Sequence, residues 1–199
     1  MIAWLNFASL LLAALLFWYF YVKSVGPAAL EQKIGPTAYR RCGVYRTIAI
    51  LFELIAAGNY VVYALYPLPL PLPTQFAWGW PVSVAIALLI GIPSLWLMVK
   101  GMLDAGMEAA FPSKEHTLYG GIYNKMRHPQ AVGEVFLWWV IAFLLNSPHL
   151  VVISFIWLPI FYHMCVAEER DLVLRYGRPY TEYQQRTGFL WPKLNVSGD

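Results

Sequence analysis

Five titratable residues gather the chemistry the sequence can offer: His116, Arg127, His128, Glu168 and Glu169. Adjacent carboxylates accept hydrogen bonds from an ammonium group, and basic side chains bind carboxylates. Glu134 adds a carboxyl inside an apolar run, where an ionised acid is costly and points to a site role. Glu53 lies in another apolar run without a neighbouring motif. It is expected to pair structurally with Arg46 or to serve as a polar group at lipid level. The bland alternative stands beside these readings: Arg127 and the two glutamates also suit interfacial charges at helix ends, and His128 before a proline suits a cap. No His-Glu-x-x-His or Cys-x-x-Cys spacing occurs, so no metal site is expected.

The elements that must position these groups are apolar. The 199-residue chain is 59% hydrophobic and 13% charged, against roughly 25% charged in a soluble domain. All fourteen Lys and Arg fall in three blocks, residues 23–46, 100–127 and 170–193, separated by long apolar runs. At about 20 residues per crossing, such runs leave no room for a separate soluble domain. A net charge of +3 confined to membrane flanks excludes the continuous basic face of a nucleic-acid binder. The two cysteines, Cys42 and Cys165, indicate no disulfide framework.

The expected fold is an all-α membrane bundle of five spans, forming one domain over residues 1–199. Three spans occupy residues 1–99: Ile2 to Val22, about Ile48 to Leu65, and from Pro81 to about Val99. Prolines 67, 69, 71 and 73 make a stiff loop between the second and third, and Gly91 with Pro93 predicts a kink. Residues 100–199 supply a polar connector, a helical hairpin and a tail. Pro129 opens the fourth span, Asn146-Ser147-Pro148-His149 turns the chain, and a fifth span from about Leu150 continues as a charged helix to Tyr176. Gly177 stops it, and the tail is expected to fold back along the membrane surface. Placing every basic block on one side puts the N-terminus outside, the C-terminus in the cytoplasm, and the site on the cytoplasmic face.

His116-Thr-Leu-Tyr-Gly-Gly-Ile-Tyr123, Met126-Arg-His-Pro-Gln-Ala-Val-Gly133 and Glu168-Glu-Arg-Asp-Leu-Val-Leu-Arg-Tyr-Gly-Arg-Pro-Tyr180 occur in that order, followed by Glu182-Tyr-Gln-Gln-Arg-Thr-Gly-Phe-Leu-Trp-Pro192. This combination resembles the isoprenylcysteine carboxyl methyltransferase family over about residues 100–193. The resemblance implies an S-adenosylmethionine-dependent methyltransferase without a Rossmann domain. It implies cofactor contacts from His116, Leu118, Gly121, Tyr123, Arg127, His128, Pro129, Gly133, Glu168, Glu169 and Tyr180. Arg186 and Glu134 are left for the substrate side, where the acceptor is a lipidic or small-molecule thiol, amine or carboxylate reached from the membrane. Two departures mark this chain. Ala131 stands where the family pattern has tyrosine, and His163 to Ala167 lacks the arginine that precedes the acid pair. Gly133-Glu134 and the Glu-Glu to Tyr-Gly tail are also similar to the membrane steroid reductases, for which NADPH would be the cofactor. A non-catalytic membrane subunit is the third reading.

Overall fold

In a computed structural model of the chain, residues 1–106, 112 and 120–193 are described, and they are helical with short connections. The helices are α1 (Ile2–Ser24), α2 (Pro27–Ile34), α3 (Thr37–Leu65), α4 (Gly79–Ala105), α5 (Pro129–Leu144), α6 (Pro148–Ile153), α7 (Trp157–Tyr176) and α8 (Arg178–Arg186). Short 3-10 turns occupy Gly121–Asn124 and Ser154–Ile156. Among the described residues the backbone makes one isolated β-bridge, Met126 to Gly188, and no named strand.

Four segments are long and apolar enough to cross a membrane: Ile2–Ser24, Thr37–Leu65, Gly79–Ala105 and Pro148–Tyr176. The expected fourth span, α5, has 16 residues. At 1.5 Å per residue it is about 24 Å long, short of the ~30 Å hydrocarbon thickness. Two other details differ from the sequence reading. Helix α3 starts at Thr37 rather than near Ile48, because the basic segment is helical too, and α2 is an additional helix. Asp171 of α7 fixes α2 in place, its two carboxylate oxygens accepting from the amides of Ala28 and Ala29 at 3.0 and 2.8 Å.

The chain turns where proline and glycine punctuate it. The Ser147 hydroxyl caps α6 by accepting from the Leu150 amide, with Pro148 in its first turn. Pro159 has no amide hydrogen, and its ring crowds the carbonyl four residues back, at Phe155. The intervening Ser154–Ile156 turn is 3-10 rather than α, so the expected fifth span is a broken helix. Gly177, at φ 61°, ends α7.

Helix α1 packs along α3, α4 packs along α5, and α7 touches both pairs. At the centre the indoles of Trp138 and Trp157 stack 3.7 Å apart. Trp157 Nε1 donates to the Tyr60 hydroxyl at 3.0 Å, and that hydroxyl also contacts Ser154 Oγ at 3.1 Å. Three helices are thereby tied through buried aromatic groups whose polar atoms are satisfied. On the other side, Gly133 lies against the α4 backbone: a Cβ there would run into the Ser94 carbonyl and the Met98 amide. Small residues at such crossings allow close approach of helices in a membrane. Gly133→Val is expected to destabilise the protein by about 1–3 kcal/mol through overpacking. A thermal midpoint in detergent unchanged from wild type would contradict this packing.

Candidate functional site

The site is assembled where the start of α5, the middle of α7 and the tail meet. His128 is the N-cap residue of α5 and Pro129 its first helical residue, an arrangement that suits proline's missing donor. The tail pairs with this segment as a short parallel strip: the Arg127 amide donates to the Gly188 carbonyl at 2.8 Å, and the His128 amide to the Phe189 carbonyl at 3.3 Å. Glycine is needed at 188 because a side chain would strike the backbone of Trp191.

Arg127 faces α7 and the tail together. Its Nε donates to Glu169 Oε1 at 2.5 Å, while one terminal nitrogen donates to the carbonyls of Gln184 and Thr187 at 3.0 and 2.5 Å. His128 stands between the two acids, with Nε2 at 3.2 Å from Glu169 Oε1 and Nδ1 at 3.6 Å from Glu168 Oε2. Gln184 Nε2 completes the shell of Glu169 at 2.8 Å. The two acids thus differ. Glu169 is held by three protein side chains, whereas Glu168 borders a small polar cavity with Ser24, Arg46 and Asp171.

Burial works against a charged imidazole at His128, but its contacts with Cys165, Glu168 and Glu169 outweigh burial and raise its pKa well above the ordinary histidine range. Burial likewise raises the phenols of Tyr123 and Tyr180 far beyond the usual tyrosine range, and that of Tyr183 to about 12. These tyrosines are neutral hydrogen-bonding groups. The Tyr183 hydroxyl donates to the Tyr123 carbonyl at 2.7 Å, anchoring α8 on the Gly121–Asn124 turn.

Gly121, at φ 60°, faces the Asp104 carboxylate so closely that a Cβ would collide with it. Asp104 accepts from the Ile122 amide at 2.7 Å and from Lys100 at 2.6 Å, fixing the turn to the end of α4. His116 and Leu118 lie outside the described residues. Gly133 belongs to the α4–α5 crossing, and buried Tyr180 packs on Tyr183. Arg186 is exposed at the end of α8 and lines neither of the two cavities beside the acids.

The carboxyls of Glu53 and Glu134 face each other across α3 and α5, close enough to interact. This corrects the expected pairing of Glu53 with Arg46, whose Nε instead donates to Ser24 Oγ at 3.2 Å and whose guanidinium lies 5.1 Å from the Tyr21 ring centroid. The misreading came from spacing within one helix, while the partner arrives from another. Sequence reasoning also passed over Gln184, Cys165 and the two tail carbonyls. A backbone carbonyl carries no residue signature, and Gln184 lies in no motif that singles it out.

A second cavity, of about 170 Å³, lies between α5 and α7. It is lined by Val132, Val135, Phe136, Phe161 and other apolar side chains, with Cys165 on the wall nearest His128.

The phospholipid methyltransferase family model matches residues 82–178, a stretch from the first turns of α4 to Arg178. Over that stretch the chain matches this membrane methyltransferase family. The group includes the isoprenylcysteine carboxyl methyltransferases that its motifs resemble. No curated protein and no solved structure matches the chain. The family match contains Arg127, His128, Glu134, Glu168 and Glu169, and it favours a methyltransferase over the reductase reading. Helices α1 to α3, with Arg46 and Glu53, and the tail with Gln184 lie outside the matched stretch.

Two outcomes test this geometry. A carboxyl pair needs one proton for its hydrogen bond, so Glu53→Gln, which supplies an amide donor, should retain stability. Glu53→Ala should lose about 1–3 kcal/mol by leaving Glu134 without its partner. Equal thermal midpoints for the two variants would refute the pairing. For His128, a folded pKa above the unfolded value gives a stabilisation fully present below about pH 6.5 and lost as pH rises through the folded value. Thermal midpoints measured from pH 6 to 9 should therefore fall more steeply for wild type than for His128→Gln.

Proposed function

We propose that this protein is an S-adenosylmethionine-dependent methyltransferase of the cytoplasmic membrane face, acting on a lipidic or small-molecule thiol, amine or carboxylate. The observation that carries the reading is the position of His128 and the acid pair between a polar cavity and an apolar one. The donor set suits the cofactor's amino-acid end: Glu168 offers carboxylate oxygens beside a polar cavity, and Glu169, already held by Arg127, His128 and Gln184, fixes His128. The Gly121–Asn124 turn with Tyr123, and the neighbouring segment containing His116 and Leu118, suit the adenosine end. The bound cofactor supplies an electrophilic methyl group on a sulfonium.

The protein's part is positioning and exclusion of water. An apolar acceptor chain fits the α5–α7 cavity, whose rim carries the exposed side chains Leu158, Tyr162 and Trp191 on a face suited to lipid. Glu134 serves the acceptor side from within α5. Arg186, at the water-exposed end of α8, suits an acceptor headgroup at the membrane surface.

The five-span arrangement, with the N-terminus outside, belongs to the same proposal. The Phe76 amide donates to the Asn146 carbonyl at 3.3 Å, which places the proline loop and the α5–α6 turn at one end. The Met126–Gly188 bridge joins the residues just before α5 to the tail at the other. The segment containing α5 together with its flanking turns then makes the fifth crossing, and five crossings put all fourteen Lys and Arg on one side. Residues 1–199 then form one membrane domain.

Calorimetric titration of the detergent-purified protein with S-adenosylhomocysteine, beside NADPH, tests the reading. Wild type should bind the first and ignore the second. Glu168→Ala should weaken binding about 10- to 100-fold, the loss expected for a charge-assisted hydrogen bond of about 1.5–3 kcal/mol. Binding of NADPH alone would overturn the methyltransferase assignment.

A further inference from the structure

Arg46 is a cation placed deep in the helix bundle. It lies in the third turn of α3, a helix apolar enough to span a membrane, yet it is only 8% exposed. An ionisable residue in such a segment is expensive and ordinarily faces a polar cavity or a partner. Its surroundings meet that requirement on two sides. Ser24 Oγ accepts from Nε at 3.2 Å, and the Tyr21 ring lies under the guanidinium at 5.1 Å. Ser24 is itself oriented by its bond to the Tyr21 carbonyl at 2.7 Å. The residue is therefore held by α1 in a fixed attitude, as a binding cation must be.

The cavity that Arg46 borders decides its use. It measures about 20 Å³, room for one water-sized polar group. Glu168, Asp171 and Arg175 of α7 line it as well; the Asp171 carboxylate is engaged by the amides of Ala28 and Ala29, and Arg46 lies within electrostatic reach of Glu168 and Glu134. A fixed cation and a carboxylate bordering one small cavity are complementary to a ligand that carries an anionic oxygen group close to a positive centre. Two cations border the cavity, Arg175 from α7 and Arg46 from α3, and Arg46 is the one held against α1 by Ser24 and Tyr21.

We propose that Arg46 is the anion anchor of the site, binding a carboxylate or phosphate oxygen of a ligand whose cationic or reacting group lies beside Glu168. This rests on the cofactor reading above. Two ligands present such an oxygen: the cofactor, through its α-carboxylate, and the acceptor, through an acidic headgroup. A guanidinium serves both because its planar fork donates two parallel hydrogen bonds to an oxyanion.

The test uses the full chain in detergent, with Arg46→Met and Arg46→Lys beside wild type. The probes are S-adenosylhomocysteine, methylthioadenosine, which lacks the amino-acid portion, and a short-chain phosphatidic acid. If the cofactor's carboxylate is held, Arg46→Met weakens S-adenosylhomocysteine binding about tenfold or more and leaves methylthioadenosine unchanged. If the acceptor's anion is held, the same variant keeps S-adenosylhomocysteine affinity and loses phosphatidic acid binding by a similar factor. Arg46→Lys should recover part of either loss. Unchanged affinity for all three probes, with only a lowered thermal midpoint, would make Arg46 a structural cation and overturn the proposal.

Should neither variant fold, wild type answers by itself. Phenylglyoxal modification of Arg46, read by mass spectrometry, should slow with S-adenosylhomocysteine or phosphatidic acid and not with methylthioadenosine; equal rates with every probe would overturn the anchor. Failure of wild type to bind either nucleoside would refute the cofactor reading and leave the phosphatidic acid arm to judge Arg46.

Discussion

The contact between Arg127 and Glu169 governs the arrangement around it. It joins the start of α5 to the middle of α7, and the same guanidinium reaches the backbone of the tail at Gln184 and Thr187. Both partners are largely shielded from water, with side-chain exposures of 11% and 13%. Burying such a pair is costly, and the cost is offset only when the remaining hydrogen-bonding positions are also filled. Here they are filled: His128 and Gln184 complete the glutamate, and two carbonyls engage the arginine. Removing either charge would leave its partner uncompensated, which is far more destabilising than exchanging both for apolar groups. The cluster therefore fixes a geometry more than it adds stability, as expected of a group that aims His128 and leaves Glu168 beside the cavity.

Much of the architecture was legible because proteins in lipid obey few rules. Long uncharged runs announce helices, and Pro129, Pro148 and Gly177 mark starts and stops through backbone chemistry that holds in any environment. The ends of α3 and α7 were harder. Helix α3 begins at Thr37 and runs through Tyr39, Arg40 and Arg41, where hydropathy falls although helix propensity does not, so an apolar window sees only the part that lipid would cover. The interruption at Ser154–Ile156 follows from Pro159, but whether a proline bends a helix or breaks it depends on neighbours that accept the freed carbonyl.

The site divides in the same way. That Arg127-His128 and Glu168-Glu169 meet was readable, since a closed hairpin with legs of similar length brings their ends together. The Glu53–Glu134 pair was not, because it depends on the rotation of α3 against α5, and nothing in one helix records the facing residue of another. Nor was the distinction between the two acids of α7. Adjacent residues on a helix point about 100° apart, and only the position of the tail makes one of them saturated and the other available.

Charge balance explains why the polar groups form one connected set. Arg46, Arg127, Arg175 and His128 stand interleaved with Glu168, Glu169 and Asp171, so that cationic and anionic groups alternate around the acid pair. Interleaving opposite charges is the least costly way to keep such groups inside an apolar bundle, because each charge left over would have to be solvated by lipid or by protein dipoles. The balance is also conditional. A zwitterionic ligand entering beside Glu168 brings equal and opposite charges, so it can replace solvent there without disturbing the total. A ligand with a single unpaired charge would shift a proton within the set or bind weakly. The same pairing of charges that stabilises the helices in a membrane thus favours a ligand that is itself internally balanced, and it draws α1 and α3, which lie outside the family-matched stretch, into the surroundings of the acid pair.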